Sequence, residues 1–397
     1  MRKGWEYKKL GEVTSFFRGL TYSGKDEVDK SNNIVLRSNN IDLSTNSLNF
    51  DELKFISDSI TIPQDKKLRK NSIFMCMSNG SKQHLGKVAF IEKEYPYAFG
   101  GFMGLIVPNE DKLVPKFTYY YFCSQKFKAY LSAIGNGANI NNIKYNDIAK
   151  DSIPLPPKST QLAIVSELDK INELIRLKKE QLKDFDNLAQ SLFYEMFGDP
   201  VENEKGWEVK KLGEICTDIT DGDHMPPPKS ESGIPFITIS DIDKDTRCLN
   251  FENTFYVPED YYNNLKENRK PQKGDLLYTV TGSYGIPVIV KTDKKFCFQR
   301  HIALLRPNKE ILSTIFLCYW VLSDGVKFMA DKVATGIAQK TVGLNSIRKF
   351  SCILPPLPLQ QLFAQRIEQI EREKSEVQKS IQDLETLLAS RMQYWFE

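Results

Sequence analysis

The sequence predicts a mixed α+β protein assembled twice over: two globular α/β domains joined by two long antiparallel coiled-coil helices, with a pseudo-twofold internal repeat. Three observations predict it. Short motifs recur at the two ends of each half, a heptad seam follows each half, and the intervening segments break into short apolar runs between Gly, Pro, Asn and Asp turns. The expected boundaries are 1–155 and 199–355 for the globular domains and 156–198 and 356–397 for the helices.

The repeat comes first. Gly4-Trp5-Glu6-Tyr7-Lys8-Lys9-Leu10-Gly11-Glu12-Val13 returns as Gly206-Trp207-Glu208-Val209-Lys210-Lys211-Leu212-Gly213-Glu214-Ile215, with eight of ten positions identical. Each half closes on a second match. Asn146-Asp147-Ile148, Leu155-Pro156-Pro157 and Gln161 answer Asn345-Ser346-Ile347, Leu354-Pro355-Pro356 and Gln360 at an offset of 199. Between these anchors the halves agree only in outline, for example Phe99 to Pro108 with Phe298 to Pro307. A shared frame around divergent interiors is expected of two copies that keep one architecture and contact different things. Neutral drift explains the divergence but not the matched ends.

After each Leu-Pro-Pro, Glu, Lys, Gln and Leu dominate for about forty residues. Alternating steps of four and three select Ile164, Leu168, Ile171, Ile175, Lys178, Leu182, Phe185, Ala189, Leu192 and Met196. In the second stretch they select Phe363, Ile367, Ile370, Lys374, Val377, Ile381, Leu384, Leu388, Arg391 and Trp395. These are coiled-coil seams, with the interrupting Lys178 and Lys374 read as snorkelling side chains. At 1.5 Å per residue each helix is roughly 55 Å long. A pseudo-twofold pairs them antiparallel, with a globular domain at each end. Intrachain pairing is favoured over a homodimerisation hairpin because both seams occur in one chain and match in length.

In the globular halves, strands are expected at Ser72 to Met77, Val88 to Ile91, Met103 to Val107, Pro235 to Ile239, Asp275 to Val280, Val288 to Val290 and His301 to Leu305. Helical stretches are expected at Lys116 to Leu131 and Ser313 to Ala330. Several loops hold side chains suited to base edges or phosphates. In half one they are Arg37, Ser38, Asn39 and Asn40, then Asn79, Ser81, Lys82, Gln83 and His84. In half two they are Thr281, Ser283 and Tyr284, then Gln299, Arg300 and His301, then Gln339 and Lys340. Arg can bind guanine, and Asn or Gln adenine, through two hydrogen bonds at once; Ser, Thr and Lys more often hold phosphates.

Charge fits such a partner. Residues 1–155 carry 22 Lys and Arg against 16 Asp and Glu, and 201–355 carry 21 against 20, whereas 156–200 carry 6 against 8 and 356–397 carry 5 against 7. Positive charge therefore gathers in the globular parts, which permits nucleic-acid binding at a net charge of only +3. No apolar run reaches the length of a membrane span and the start lacks a signal peptide, so a cytoplasmic protein with no membrane partner is expected. Seven scattered cysteines without a Cys-x-x-Cys pair read as buried free thiols, and three histidines leave few zinc ligands.

Catalytic motifs are missing. The Pro-Pro pairs follow Leu155, Met225 and Leu354 and none precedes an aromatic residue, as base-amino methyltransferases require. Phe99-Gly100-Gly101-Phe102 imitates a cofactor glycine loop but aligns with the strand pattern of Phe298 to His301, so it reads as structural. No dinucleotide or phosphate-loop fingerprint occurs. Asp218, Asp221 and Asp223 with His224 suggest a metal site, yet half one has no counterpart and a solvated turn is favoured. No catalytic residue and no metal site is assigned.

The anchors Gly-Trp-x-x-Lys-Lys-Leu-Gly-Glu and Leu-Pro-Pro-x-x-x-Gln, in the order domain, helix, domain, helix over essentially the whole chain, resemble type I restriction-modification specificity subunits. Gly336-Ile337-Ala338-Gln339-Lys340 is similar to the glycine and glutamine segment of that family, while the matching Gly137-Ala138-Asn139-Ile140-Asn141 lacks the glutamine. The resemblance implies two target recognition domains, each reading one half of an asymmetric bipartite site on double-stranded DNA. It implies that the helices act as spacer, spanning about 16 base pairs at 3.4 Å each, and dock two methyltransferase subunits. S-adenosylmethionine would be bound by those partners and no cofactor by this chain, with a translocating restriction subunit able to join. Two other readings stay open: a specificity subunit whose partner fuses nuclease and methyltransferase, and a coiled-coil scaffold that binds no DNA.

Overall fold

The recurring motifs at the ends of each half are hydrogen-bonded to each other. In the computed structural model, strand Glu6–Lys9 runs antiparallel to Ser152–Leu155 with Glu6 opposite Leu155, and Glu208–Lys211 runs antiparallel to Ser351–Leu354 with Glu208 opposite Leu354. Each opening strand leads into a one-turn helix, Leu10–Val13 or Leu212–Ile215, whose leucine is fully buried and donates its N–H to Asp151 O or Phe350 O. The glycine after that leucine lies against the chain's return. A Cβ on Gly11 would stand 3.0 Å from Ala149 Cβ, and one on Gly213 3.3 Å from the Arg348 carbonyl oxygen. The glutamine of Leu-Pro-Pro-x-x-x-Gln is a buried clasp. Gln161 Oε1 accepts from Val114 N at 2.8 Å while its Nε2 donates to Lys112 O and Pro156 O. Gln360 repeats the pattern with Ser313 N, Ile311 O and Pro355 O. The matched ends are thus the closure of each half, which explains their likeness beside divergent interiors.

The structure describes residues 4–81, 84–134, 142–222, 227–336 and 339–397. It divides into two compact units, Met1–Lys178 with Ser380–Glu397, and Lys179–Lys379, so each unit takes part of both long helices.

In the first unit one sheet runs Thr14–Arg18, Met103–Pro108, Ser72–Cys76, Val88–Ile91, every pair antiparallel; a second runs Ala98–Phe99, Asn33–Leu36, Lys54–Ile56, Glu27–Val28. In the second unit Cys216–Asp221, Ile302–Pro307, Leu276–Thr279 and Pro287–Ile289 form the equivalent sheet, and Phe255–Val257, Ile234–Ile237 and Cys297–Phe298 its companion. Central strands such as Ser72–Cys76 and Leu276–Thr279 are buried along their whole length, which is why they read as continuous rather than alternating apolar runs.

Both expected helical stretches are split in two. Pro115–Cys123 and Gln125–Ile134 meet at Ser124, and Thr314–Leu322 and Asp324–Val333 meet at Ser323. Each serine is extended, and its hydroxyl donates to the carbonyl three residues back and accepts the N–H three residues ahead. An N-cap placed mid-sequence ends one helix and starts the next.

The long helices span Lys158–Phe197 and Leu357–Phe396. Of the expected seam, Ile164, Leu168, Ile171, Ile175, Ala189, Phe363, Ile367, Ile370, Val377 and Ile381 are buried, and Leu182, Phe185, Leu192, Met196, Leu384 and Leu388 are half-buried. In the second unit Lys374 Nζ lies 2.8 Å from Asp186 Oδ1 while Phe363 packs on Phe197 with ring centroids 5.3 Å apart, which makes the pair antiparallel. In the first unit Glu167 accepts from Arg391 and from Trp395 Nε1. The seam interruption at Lys374 is therefore an interhelical ion pair. Among the described residues no helix is long and apolar enough to cross a membrane. Five of the cysteines are buried, but Cys123 is half-buried and Cys248 exposed, contrary to the expectation for all seven.

Candidate nucleic-acid interface

In the second unit three separate loops converge on one open cleft. The sequence Pro235-Phe236-Ile237-Thr238-Ile239-Ser240-Asp241 leaves a buried strand and turns through a 3₁₀ helix, Ile239–Asp241, because Asp241 accepts both the N–H and the hydroxyl of Thr238, at 2.7 and 2.6 Å. A second loop follows strand Leu276–Thr279. A third comes from Thr335 to Thr341, which exchange both backbone hydrogen bonds. Gly336 makes that last turn possible: its φ is +113°, and a Cβ there would meet Gln339 O at 2.2 Å. The second and third loops are joined by Gly282 N donating to Lys340 O at 3.0 Å.

The cleft, about 420 Å³, is lined by Thr238, Ile239, Ser240, Thr281, Gly282, Ser283, Gln299, His301 and Gln339. Five side chains singled out in the sequence, Thr281, Ser283, Gln299, His301 and Gln339, come together here. Thr238 and Ser240 were not singled out, although the alignment of Thr238-Ile239-Ser240-Asp241-Ile242-Asp243 with Arg37-Ser38-Asn39-Asn40-Ile41-Asp42 marks them. Lys244, also unforeseen, reaches Ser283 Oγ at 3.2 Å. Lys340 and Arg300 are exposed. Burial, then the neighbouring Arg300, lowers the His301 pKa below its ordinary value, so its ring is neutral at pH 7. Hydroxyls, amides and a neutral imidazole line the cleft, with no carboxylate among the described residues that line it, and lysine stands at Ser283. That set can pair with base edges in both donor and acceptor sense and tolerates phosphate.

Not every candidate sits there. Tyr284 turns aside, its hydroxyl donating to Asp331 at 2.5 Å. Asp218 and Asp221 belong to strand Cys216–Asp221 and face Arg306 and Arg269, at 3.5 and 3.6 Å, so ion pairing replaces the solvated turn expected. Asp223 and His224 lie outside the described residues. Among those described no three His, Cys, Asp or Glu side chains are placed to hold a metal.

The first unit repeats the first two of these loops with other residues. Ser38–Asn40 forms the matching 3₁₀ helix, with Asn40 accepting from Arg37 N at 2.8 Å. Asn40 itself is fully buried and donates to Asn49 O and Glu52 O, so this base-reading candidate is an internal brace. Asn79 Nδ2 donates to Ser38 Oγ at 3.1 Å, which unites the two candidate loops of this half. Asn39 is exposed and held by Glu52, and Ser81 is exposed beside Asn79. Arg37 Nε and His84 Nδ1 are buried and have no hydrogen-bond partner among the described residues. Lys82, Gln83 and the segment 137–141 lie outside the described residues.

The description "Type I restriction modification DNA specificity domain" matches residues 2–184 and again 204–386. The chain is 23% identical over 413 residues to the StySPI type I restriction enzyme specificity subunit of Salmonella potsdam, covering 98% of this chain and 87% of that one. It is 25% identical over 402 residues to the EcoKI specificity subunit of Escherichia coli, covering 96% and 84%. A chain from a structure on complex assembly and conformational transition of the type I R-M system shares the fold, with a TM-score of 0.62 at 20% identity over 99% of this chain and 97% of that one. Two matched segments, each taking in a globular half and most of its long helix, account for nearly the whole sequence: this chain belongs to the type I restriction-modification DNA specificity family.

Proposed function

We propose that the two units read the two halves of an asymmetric bipartite site on double-stranded DNA, and that the chain performs no chemistry itself. The observation that carries this reading is that a 3₁₀ turn and a loop after the central strand recur in both units with different side chains at their surface. The second unit presents Thr238, Ser240, Gln299, His301 and Gln339, where the first presents Ser38, Asn39 and Asn79. Different donor and acceptor sets select different bases. The long helices dock two methyltransferase subunits, which bind S-adenosylmethionine, and a restriction subunit joins through them. The assembly works in the cytoplasm.

The test is duplex binding by the chain with its methyltransferase partner across a salt series, combined with methylome sequencing of cells with and without the gene. Expected are an affinity that falls steeply with salt and a methylated bipartite motif that disappears with the gene. Binding indifferent to salt, or an unchanged methylome, overturns the proposal.

A further inference from the structure

Gly100-Gly101-Phe102 in the first unit and Gln299-Arg300-His301 in the second are the same turn. Gly100 N donates to Leu36 O at 2.9 Å, and Met103 N to Gly100 O at 2.8 Å. Gln299 N donates to Ile237 O at 2.9 Å, and Ile302 N to Gln299 O at 3.0 Å. The carbonyl of Phe102 accepts Met77 N, as that of His301 accepts Val280 N, both at 2.9 Å. In the second unit this turn supplies the cleft with Gln299 and His301. In the first it supplies no polar side chain at all, and Phe102 occupies the histidine position with 72% of its surface exposed, the most exposed large apolar residue described in the chain.

An apolar ring left 72% exposed at a position equivalent to a cleft-lining histidine gains little burial among the described residues of its unit. Its neighbours are hydrogen-bonding groups: its carbonyl also accepts Ser78 N at 3.1 Å, next to the Asn79 that holds Ser38. The major groove displays one apolar feature among its donors and acceptors, the thymine 5-methyl group. We infer that Phe102 is a specificity-determining residue of the first unit and reads a thymine methyl in half-site one. The inference rests on the proposed reading of DNA by this frame. It assigns that half-site an apolar contact where half-site two is met by an amide and an imidazole.

The experiment uses the full chain in complex with its methyltransferase partner and duplexes carrying the methylated motif, with each thymine of half-site one replaced in turn by deoxyuridine, which removes only the methyl group. Unmodified protein is expected to bind one such duplex about 10-fold more weakly, and Phe102→Ala to bind the thymine duplex about 10-fold more weakly with no remaining difference between thymine and uracil there. Since Phe102 is exposed, the variant's thermal unfolding should be unchanged, and half-site two should be read as before. Persistent discrimination in Phe102→Ala, or equal weakening on both duplexes without discrimination by the unmodified protein, overturns this inference. So does a half-site one without thymine on either strand. These failures leave salt-dependent binding intact, whereas loss of the underlying DNA reading would appear as no specific duplex binding by the unmodified complex.

Discussion

The ring of Phe396 lies 5.2 Å from that of Phe117, so the last turn of the second long helix belongs to the core of the first unit. The relationship is repeated 199 residues earlier, where Phe197, at the end of the first long helix, packs on Phe316 at 4.8 Å in the second unit. Each helix begins on the clasp of the unit it leaves, at Gln161 or Gln360, and ends in the core of the other. Phe396→Ala should therefore cost about 3–5 kcal/mol in the first unit, as expected for a buried phenylalanine. Hydrogen exchange should quicken in 115–134 and not in 314–333, and Phe197→Ala should reverse the pattern. Equal acceleration in both segments would contradict this assignment.

The glutamine clasps give a second prediction. Gln161 is fully buried with three hydrogen bonds to backbone groups around the start of its helix. Gln161→Ala deletes them and strands the Val114 N–H and two carbonyls, at about 2–4 kcal/mol. Gln360→Ala should match it, because the partners are equivalent. Thermal unfolding measures both; a negligible shift for either would show that water replaces the amide.

Elements defined by a period were legible in the sequence, and those defined by a single side chain's use were not. The heptad steps found the seam because burial there repeats every three or four residues, but they passed over Phe193, Phe197 and Phe396, which leave the seam to enter globular cores. The helix breaks at Ser124 and Ser323 escaped notice because a serine within an apolar run carries no turn signal until its hydroxyl is seen to cap. Asn40 and Asn39 are neighbours of one residue type, yet one braces a loop from inside and the other faces solvent. Residue type suggests chemistry, and direction decides it. Phe102 shows the opposite case: within Phe99-Gly100-Gly101-Phe102 it reads as structural, because an aromatic beside a strand is ordinarily core, yet its ring is exposed.

Glu167 couples the helices to pH. Its carboxylate accepts from Arg391, which above all holds its pKa below the usual carboxylate value, with Trp395 contributing less. A carboxyl depressed in the folded state stabilises above its unfolded pKa, and that contribution is lost as pH falls through the folded one. The group is about a third exposed, so the contribution is at most about 1 kcal/mol. Glu167→Gln should be less stable than the parent at pH 7, with the gap closing on acidification below the carboxylate range. A gap that widened with acid would reverse the sign argued here.

The cleft of the second unit separates residues that read from residues that hold. Gln299 lines it beside a neutral His301 and has an amide able to form two bonds with adenine, whereas Lys244 stands at Ser283 with a charge suited to phosphate. Gln299→Ala should cost about 1–3 kcal/mol of discrimination at one position of half-site two, leaving half-site one and the salt dependence unchanged. Lys244→Ala should weaken every duplex nearly equally and lower the slope of log affinity against log salt by about 1. Methylome sequencing of Gln299→Ala cells reads the first effect and binding titrations read the second. If Gln299→Ala lowered the salt slope and Lys244→Ala relaxed the motif, the two roles would have to be exchanged, and the cleft would follow the backbone through its amide.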